Sequence, residues 1–426
     1  MWMLYEILLV IGLLLYLPKA VWRRRLPHRG WSMRLGRYPA RVVRSLEGRR
    51  ALWIHAVSVG EVLAARPLLK ALIEIAPADA VVVSTITPGG FAMASQHLGA
   101  RGIALYFPLD LRACVTRALE AIRPRLLLLM ESELWPTVIR LTKARGIPVA
   151  VVNGRISPGA FRRYQVVRSR LGGMLRRVDL FLMQSRADAE RLIQLGASPG
   201  AVQVVGSLKW DASLGTRPAP EAIQDAAARL GLDGRQPVIV AGSTHHGEEP
   251  AVLRAFRALR ASHPDARLLI APRHLERLAE VEGLIRRAGL RPARLSRLPA
   301  AEEWQVGMVD TWGELPLYYG LASVVVIGGS FIPHGGQNPL EATSLGKPVV
   351  FGPSMHNFAE IVQQLLAHHA AHQLSQTSEL PDTLHVLLAD RAQSQEMGRR
   401  AQELTERSRG ATQRTLDALR PLLAGT

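Results

Sequence analysis

The chain has 426 residues, which is enough for two domains and too long for one ordinary hydrophobic core. Hydrophobic residues make up 48% of it, which excludes a disordered chain, and the single cysteine, Cys114, excludes an intrachain disulfide and a cysteine-based zinc site. Lys and Arg number 53 against 35 Asp and Glu, and the resulting charge of +18 favours an anionic partner: nucleic acid, anionic lipid or a phosphorylated substrate.

The N-terminus begins with an apolar segment, MWMLYEILLVIGLLLYLP, in which Glu6 is the one charged residue, and the basic stretch KAVWRRRLPHR follows it. The segment approaches the ~20 residues that span a bilayer. Basic residues after the segment, and not before it, predict a retained anchor over residues 1–25 with the rest of the protein in the cytoplasm. Glu6 and the short length leave an interfacial helix open, and a helix buried in a soluble core is the remaining alternative.

Two series of short apolar runs follow the anchor, with helical periodicity between most of the runs. Apolar strands that alternate with helices predict an α/β protein with parallel sheets covered on both faces. We expect two Rossmann-like domains that face each other across a cleft, with ligands at the carboxyl ends of the strands. The predicted domains are residues 26–206 and 233–404, with a loop-rich linker over 207–232 and a final helix, 405–426, that packs back on the first domain.

The stretch HAVSVGE places an acid where a predicted buried strand turns into a helix. Gly60 would permit a tight turn, Ser58 is a plausible cap, and Glu61 opens the helix. A carboxylate at a helix N-terminus is favoured by the helix dipole alone. The residues therefore leave a dipole role and a catalytic role for Glu61 equally open.

A second acidic stretch, LLLLMESELWP, carries Glu131 and Glu133 at the end of a very apolar strand, and Pro136 fits the first turn of the next helix. One acid could cap and the other face solvent. An acid pair that emerges from a buried strand needs partners, however, so a functional site is favoured. Asn153 and Arg155, in NGRIS after the following strand, are candidate partners.

A glycine-rich stretch, VIGGSFIPHGGQNPLEATSLGKPVVFGP, suggests a nucleotide site, because glycine amides and a helix N-terminus bind phosphate well. Asn338 is a good N-cap with Pro339 at the first helical position. Glu341 would then either complete a capping box or bind ribose hydroxyls. The chain has neither the G-x-G-x-x-G fingerprint nor a Walker A sequence, which argues against a dehydrogenase and a P-loop NTPase.

Over nearly its whole length the chain resembles the 3-deoxy-D-manno-oct-2-ulosonic acid (Kdo) transferases. The resemblance comprises the N-terminal anchor and, in order, HAVSVGE, MESELWP, NGRIS, GSLKWD, APRH, TWGELPLYY and the loop GGSF, HGG and NPLE. It implies a GT-B architecture and an inverting transfer of Kdo from CMP-Kdo to the tetraacylated lipid A precursor, lipid IVA, in lipopolysaccharide core biosynthesis. Gln337 departs from the family, which often has His at this position.

The same resemblance implies roles for individual residues. Glu61 matches the proposed general base, and the second acid is Glu131, with Glu133 as the alternative. The donor-binding matches are Lys209, Arg273, Gly313, Glu314, Gly329, Ser330, Gly335, Gly336, Asn338 and Glu341. Ser58, Gly60, Arg155, Arg162 and Arg163 are assigned to the acceptor or the membrane. No Asp-x-Asp sequence occurs, so we expect no metal and no cofactor besides the donor substrate.

The positive charge also fits this assignment. Arginines crowd the stretch GRISPGAFRRYQVVRSRLGGMLRR, where they would bind anionic inner-membrane lipids and acceptor phosphates, with a solvated helix face as the alternative. Aromatic residues are only 5%, which disfavours nucleic acid. We expect an inner-membrane enzyme with a single N-terminal anchor and cytoplasmic catalytic domains. The alternatives are a membrane-associated GT-B enzyme with another nucleotide sugar and a membrane-surface binding protein without catalysis.

Overall fold

A computed structural model describes residues 5–7, 9–12, 14–15, 30–215, 217–297 and 303–424, apart from the side chain of Ala100. The chain divides into two compact units. The N-terminal unit comprises Met1–Ala212 with Gly410–Thr426, and the C-terminal unit comprises Ser213–Arg409.

The N-terminal unit alternates strands and helices. Its strands are β1 (Ala51–His55), β2 (Ala80–Thr85), β3 (Gly102–Tyr106), β4 (Pro124–Met130), β5 (Val149–Gly154), β6 (Leu180–Met183) and β7 (Val202–Val204). Its helices are α1 (Trp31–Arg34), α2 (Ala40–Leu46), α3 (Val59–Ile75), α4 (Pro88–Leu98), α5 (Arg112–Ile122), α6 (Pro136–Lys143), α7 (Pro158–Val166), α8 (Arg168–Leu175) and α9 (Arg186–Gln194). The short helix α10 (Leu208–Leu214) crosses into the C-terminal unit.

The sheet of this unit is parallel, with the order β3-β2-β1-β4-β5-β6-β7. The strand order reverses between β1 and β4. Strands β1 and β2 are buried along their whole length, because helices cover both faces of the sheet. Trp53 belongs to the core on one face, and Leu52 and Ile54 belong to the core on the other.

The last helix, α19 (Ala411–Ala424), belongs to the N-terminal unit. Asp211 accepts hydrogen bonds from the amides of Gly410 and Thr412 at 2.8 and 2.6 Å. Arg414 donates to the carbonyl of Val205 at 2.8 Å. The division falls at residues 409 and 410, later than the predicted boundary at 405, because the preceding helix continues through residue 407 and the chain turns at Gly410.

The C-terminal unit contains a second series of strands and helices. Its strands are β8 (Val238–Thr244), β9 (Arg267–Pro272), β10 (Pro292–Arg294), β11 (Val306–Met308), β12 (Val324–Ile327), β13 (Val349–Phe351) and β14 (His372–Gln373). Its helices are α11 (Pro220–Arg229), α12 (Glu249–Leu259), α13 (Leu278–Arg287), α14 (Leu315–Leu321), α15 (Leu340–Thr343), α16 (Ala359–Ala367), α17 (Leu380–Ala389) and α18 (Arg391–Arg407).

This second sheet is also parallel, with the order β10-β11-β9-β8-β12-β13-β14 and its reversal between β8 and β12. Strands β10 and β14 were not predicted, because they are edge strands of three and two residues with too little apolar pattern to signal a strand. The predicted linker, 207–232, has more helix than its loop-rich sequence suggested. It contains α10 and α11, and Trp210 is buried within it.

The described parts of the N-terminal segment, residues 5–7, 9–12 and 14–15, are helical. Among the residues that the structure describes, no helix is both long enough and apolar enough to cross a membrane. The rest of the predicted anchor and its basic flank, including Lys19 and Arg23 to Arg25, lies outside the described residues.

Candidate functional site

In the N-terminal unit, the predicted acids gather at the point where the strand order reverses. Strands β1 and β4 are neighbours, and the chain continues from them toward different sides of the sheet. Open α/β sheets bind ligands at the carboxyl ends of such a strand pair. Glu61 follows β1, and Glu131 and Glu133 follow β4. We call these three residues the acid cluster.

Glu61 lies in the first turn of α3 and reaches back toward β1. Its Oε2 atom accepts the Val57 amide at 2.8 Å, and Ser58 Oγ donates to its Oε1 atom at 3.4 Å. Ser58 occupies the N-cap position, but its side chain does not cap the helix backbone. Gly60 is exposed inside the helix, and a Cβ there would make one ordinary contact, 3.9 Å from Ser58 Oγ, so the helix start has room for a small side chain at this position.

The surroundings of Glu61 favour its protonated form. Burial raises the pKa of Glu61 from 4.5 to about 8, and the nearby charges of Glu131 and, to a smaller extent, Glu133 act in the same direction. The hydrogen bonds from Val57 and Ser58 lower this pKa but do not offset the burial. The carboxylate can therefore take up a proton near neutral pH.

The two acids after β4 have different partners. Glu131 has a φ of 53°, which is strained for a residue with a side chain, and its Oε1 atom lies 3.0 Å from Lys209 Nζ. Glu133 accepts the Trp135 indole N–H at 3.0 Å, and burial raises its pKa. Glu131 raises the pKa of Glu61 more than Glu133 does, and the choice of Glu131 over Glu133 as the second acid stays a prediction.

Lys209 is brought to Glu131 by Asn153. The Asn153 side chain, fully buried at the end of β5, accepts the Leu208 amide at 3.0 Å and so holds the start of α10. Asn153 thus supports the partner of Glu131, whereas the sequence suggested direct contact with the acids. The expected donor-binding role of Lys209 stays a prediction. Arg155 lies half-buried just after β5.

Exposed arginines cover α7, α8 and the turn after them. We call this the basic surface: Arg162, Arg163, Arg168, Arg170, Arg176 and Arg177. Val166 lies among them with 87% of its surface exposed. The exposure of these arginines leaves open both alternatives from the sequence, binding to an anionic surface and a solvated helix face.

In the C-terminal unit, the order of the strands reverses between β8 and β12. The glycine-rich loop of residues 328–338, here the donor loop, follows β12. Arg273 comes directly after β9, which neighbours β8. Arg273 and the donor loop thus lie at the carboxyl ends of β9 and β12, the two strands beside β8, and open α/β sheets bind ligands at such strand ends.

Glu341 is the acid of this second site. Burial raises its pKa, while the Asn338 side chain and the positive charge of Arg273 lower it. Asn338 Nδ2 donates to Glu341 at 3.4 Å, and Asn338 Oδ1 accepts the Leu340 amide at 3.1 Å. Of the two alternatives for Glu341, the capping box does not form here: α15 begins at Leu340, and Glu341 contacts the Asn338 side chain and not the cap amide.

Glu248 was missed by the sequence analysis. It lies just before α12, only 2% exposed, and accepts the amides of His245, Gly329 and Phe331 at 2.8, 2.7 and 3.0 Å. One carboxylate therefore ties the loop after β8 to the donor loop. The two acids of HHGEEP follow a predicted strand, as the acid pair of MESELWP does, and were the signal that could have identified Glu248.

The glycines of the donor loop have partners inside the unit. The Gly329 amide donates to Glu248, the Gly335 amide to Ser354 Oγ at 3.1 Å, and the Gly336 amide to the Gly329 carbonyl at 2.8 Å. These three amides therefore have partners within the unit in this conformation of the loop, and the donor-binding role of Gly329, Gly335 and Gly336 stays a prediction.

Two further features explain the composition of the donor loop. Gly336 has a φ of 77°, and a Cβ there would stand 2.1 Å from Met355 Sδ. Ser330, fully buried, accepts the Gly352 amide at 2.8 Å and donates to the Ile327 carbonyl. Met355 leaves no room for a side chain at Gly336, and Ser330 fixes the loop through its two hydrogen bonds to the backbone.

Histidines line the same region. The His245 and His334 rings are 4.0 Å apart, and Gln337 Nε2 lies 3.0 Å from His245 Nε2. Burial lowers the pKa of His245 to about 4, and the electrostatic interactions with His334, His274 and Arg273 act in the same direction. Gln337, the departure from the family, thus contacts a neutral imidazole.

The TWGEL motif places an exposed aromatic ring beside Arg273. The Arg273 guanidinium lies 5.9 Å from the centre of the Trp312 ring, and Trp312 is 66% exposed. Gly313 has a φ of 84°, and the Glu314 side chain accepts the hydroxyls of Thr311 and Tyr318. Glu314 thus braces the start of α14 in this structure.

Comparison with solved structures places the fold among two-unit α/β proteins with parallel sheets. The UDP-GlcNAc 2-epimerase of Neisseria meningitidis bound to UDP-GlcNAc matches with a TM-score of 0.59 and 15% identity over 87% of this chain and 99% of its own. This similarity shows the fold alone.

Sequence comparison identifies the family. Residues 29–212 match the family model of 3-deoxy-D-manno-octulosonic-acid transferase. The 3-deoxy-D-manno-octulosonic acid transferase of Bordetella pertussis is 37% identical over 94% of both chains, and that of Haemophilus influenzae is 34% identical over 88% of this chain and 87% of its own. The chain belongs to the Kdo transferase family and is a glycosyltransferase.

Proposed function

We propose that the protein transfers Kdo from CMP-Kdo to a hydroxyl of the lipid A precursor, lipid IVA, with inversion at the anomeric carbon, in lipopolysaccharide core biosynthesis. Membership of the Kdo transferase family supports the transferred sugar. The observation that carries the mechanism is the Glu61 carboxylate at the reversal of the first sheet, with a pKa raised to about 8 by its surroundings.

In the proposed reaction, Glu61 takes the proton of the acceptor hydroxyl while the hydroxyl oxygen forms the new bond to the anomeric carbon of Kdo. The bond between that carbon and the phosphate oxygen breaks, and its electron pair leaves with CMP. Glu131 keeps the environment of Glu61 negative, which raises the affinity of Glu61 for the proton. Help from a general base is worth roughly 10²–10⁴-fold in rate.

The C-terminal unit is proposed to hold the donor. Arg273 provides a positive charge for the leaving phosphate, and Glu341 and Asn338 provide acceptor and amide groups for the nucleoside. Because the Glu341 carboxylate is buried beside Arg273, hydroxyl donors of a bound ribose would satisfy an otherwise costly buried acid.

We also propose that the reaction needs no bound metal. Among the residues that the structure describes, no group of three or more His, Cys, Asp or Glu side chains is placed to hold one. Chelation with EDTA, followed by gel filtration, is expected to leave the transfer rate unchanged. Loss of activity that returns with added Mg²⁺ would contradict this proposal.

The protein is proposed to act at the cytoplasmic face of the inner membrane. The apolar N-terminal segment and the basic surface support this location, since together they offer apolar and cationic groups to an anionic bilayer. Flotation with vesicles that contain anionic phospholipid, compared with neutral vesicles, tests the charge dependence.

The direct test of the function is mass analysis of the product. The purified full chain is incubated with CMP-Kdo and lipid IVA, and in parallel with UDP-N-acetylglucosamine and the same acceptor. We expect a lipid product heavier by one or more Kdo residues from the first mixture only. No product with CMP-Kdo, together with turnover of the UDP-sugar, would overturn the proposal.

A further inference from the structure

The N-terminal helix contacts the body of the N-terminal unit through Tyr5. The Tyr5 hydroxyl donates to Asp110 Oδ2 at 2.8 Å. Asp110 is 1% exposed, and the same carboxylate accepts the amides of Thr137 and Val138 at 3.0 and 2.8 Å. Because Trp135, the N-cap residue of α6, provides no side-chain cap, Asp110 satisfies the start of that helix from a distance.

Glu6 makes a second contact with the same helix. Its Oε1 atom lies 3.6 Å from Arg140 Nη2, and both side chains are about three-quarters buried. Tyr5 and Glu6 are therefore adjacent polar residues in an apolar segment, and both are directed at α6 or at the carboxylate that caps it. This explains why an acid interrupts a sequence that otherwise resembles an anchor.

These contacts bear on how the segment meets the membrane. The basic flank follows the apolar segment, so a spanning helix with the catalytic units in the cytoplasm would carry Tyr5 and Glu6 toward the opposite face. The hydrocarbon core is about 30 Å thick. A residue held there cannot also contact Asp110 or Arg140 on the cytoplasmic body.

We propose that Tyr5 and Glu6 form a latch on Asp110 and Arg140, so that the N-terminal helix lies along the membrane surface on the same side as the catalytic units and does not cross the bilayer. The proposal rests on the membrane location proposed above. The lipid-facing residues of the latched helix are its exposed apolar side chains: Ile7, Val10, Ile11, Leu14 and Leu15, which are 39–76% exposed.

The exposed apolar side chains of the latched helix contact the acyl region of an anionic leaflet in this proposal. The basic residues that follow the segment, Lys19 and Arg23 to Arg25, provide the charge that such a leaflet attracts. An amphipathic helix that carries polar anchors to the protein on one side and aliphatic residues on the other fits an interfacial position.

The side of the membrane is tested by labelling in a Cys114→Ala background with a cysteine-containing tag fused before Met1. Arg186→Cys, whose parent side chain is 90% exposed on the body, marks the cytoplasmic side. A membrane-impermeant maleimide is applied to sealed spheroplasts and to inverted vesicles. We expect both cysteines to react in inverted vesicles only. Reaction of the tag, but not of Arg186→Cys, in sealed spheroplasts would overturn the proposal.

The latch is tested by crosslinking. Glu6→Cys is combined with Arg140→Cys, and the control pair is Leu15→Cys with Arg140→Cys, since Leu15 is 76% exposed and stands about 14 Å further along a helix. A short bismaleimide should link the first pair at several times the yield of the second, as read by mass spectrometry of linked peptides. Equal yields would overturn the latch.

The crosslink needs neither activity nor membranes, so it separates the two proposals. A crosslinked protein that does not bind vesicles would refute the membrane location and keep the latch. A vesicle-bound, active protein without the crosslink would refute the latch and keep the proposed function.

Discussion

The two units place a glutamate in the same topological position and use it differently. Glu61 follows β1 and Glu248 follows β8, and each strand lies at the reversal of its sheet. The Glu248 carboxylate accepts three backbone amides, whereas the Glu61 carboxylate accepts one amide and a longer bond from Ser58.

The difference shows how hydrogen bonding separates a structural acid from a reactive one. A carboxylate with several amide donors has its charge stabilised and fixes the loops that supply the donors. Burial raises the pKa of Glu61 most, Glu131 raises it further, and the few hydrogen-bond donors do not offset these effects, so Glu61 can accept a proton near neutral pH. In the C-terminal unit, Arg273 and His245 lie at the strand ends, and Glu248 holds two loops together through their backbone amides.

The strongest test of this comparison is Glu61→Gln. We expect the transfer rate to fall at least about 100-fold, because the general base is lost while the shape is kept. Glu74→Gln, at an exposed position near the end of α3, is the matched control and should retain the parent rate. A rate for Glu61→Gln within a few-fold of the parent would refute the base assignment.

The same variant has a predicted effect on stability. The pKa of Glu61 is raised from 4.5 to about 8, so the folded state binds more protons than the unfolded state between these values. The Glu61 carboxyl therefore contributes to the free energy of unfolding at low pH, and this contribution is lost as the pH rises through about 8. Above pH 8, the Glu61→Gln protein should melt at a higher temperature than the parent. At acidic pH, this increase in melting temperature should be smaller, and calorimetry measures both.

The next largest effect is expected in donor binding. Arg273→Ala should weaken CMP binding about 10–100-fold, because a charge-assisted contact is worth about 1.5–3 kcal/mol. Isothermal titration of the full chain with CMP measures the change. Arg286→Ala, at an exposed position on α13, is the control. Unchanged binding by Arg273→Ala would remove Arg273 from the donor site.

A smaller effect distinguishes the two acids after β4. Since the charge of Glu131 raises the pKa of Glu61 more than that of Glu133, Glu131→Gln should move the acidic limb of the pH–rate profile to lower pH. Glu133→Gln should move it less. The reverse order would assign the second acid to Glu133.

The smallest catalytic effect is expected for Glu248→Gln. Three amides lose part of their acceptor, so the donor loop should loosen, with a few-fold rise in the KM for the donor and little change in kcat. The melting temperature should fall, with a cost of about 1–3 kcal/mol, opposite in sign to Glu61→Gln above pH 8. A large loss of kcat with an unchanged KM would contradict a structural role.

The central strands of both sheets and the positions of Glu61, Glu131 and Glu133 could be predicted, because runs such as LLLLM are buried on both faces and ligand residues follow strand ends. The short edge strands β10 and β14 and the buried Glu248 could not be predicted in this way. The contacts of Lys209 with Glu131 and of Tyr5 with Asp110 could not, because they join residues far apart in sequence. The roles of the individual site residues stay predictions.

The division of work between the units is tested most directly by CMP binding to the Glu61→Gln protein. Titration of full-length Glu61→Gln with CMP should give the Kd of the parent protein, while the transfer of Kdo is lost. This result is expected because Glu61 is the proposed base and the C-terminal unit is the proposed site of the nucleotide. A Kd that weakens in step with the lost activity would show that Glu61 supports donor binding, and it would contradict the account.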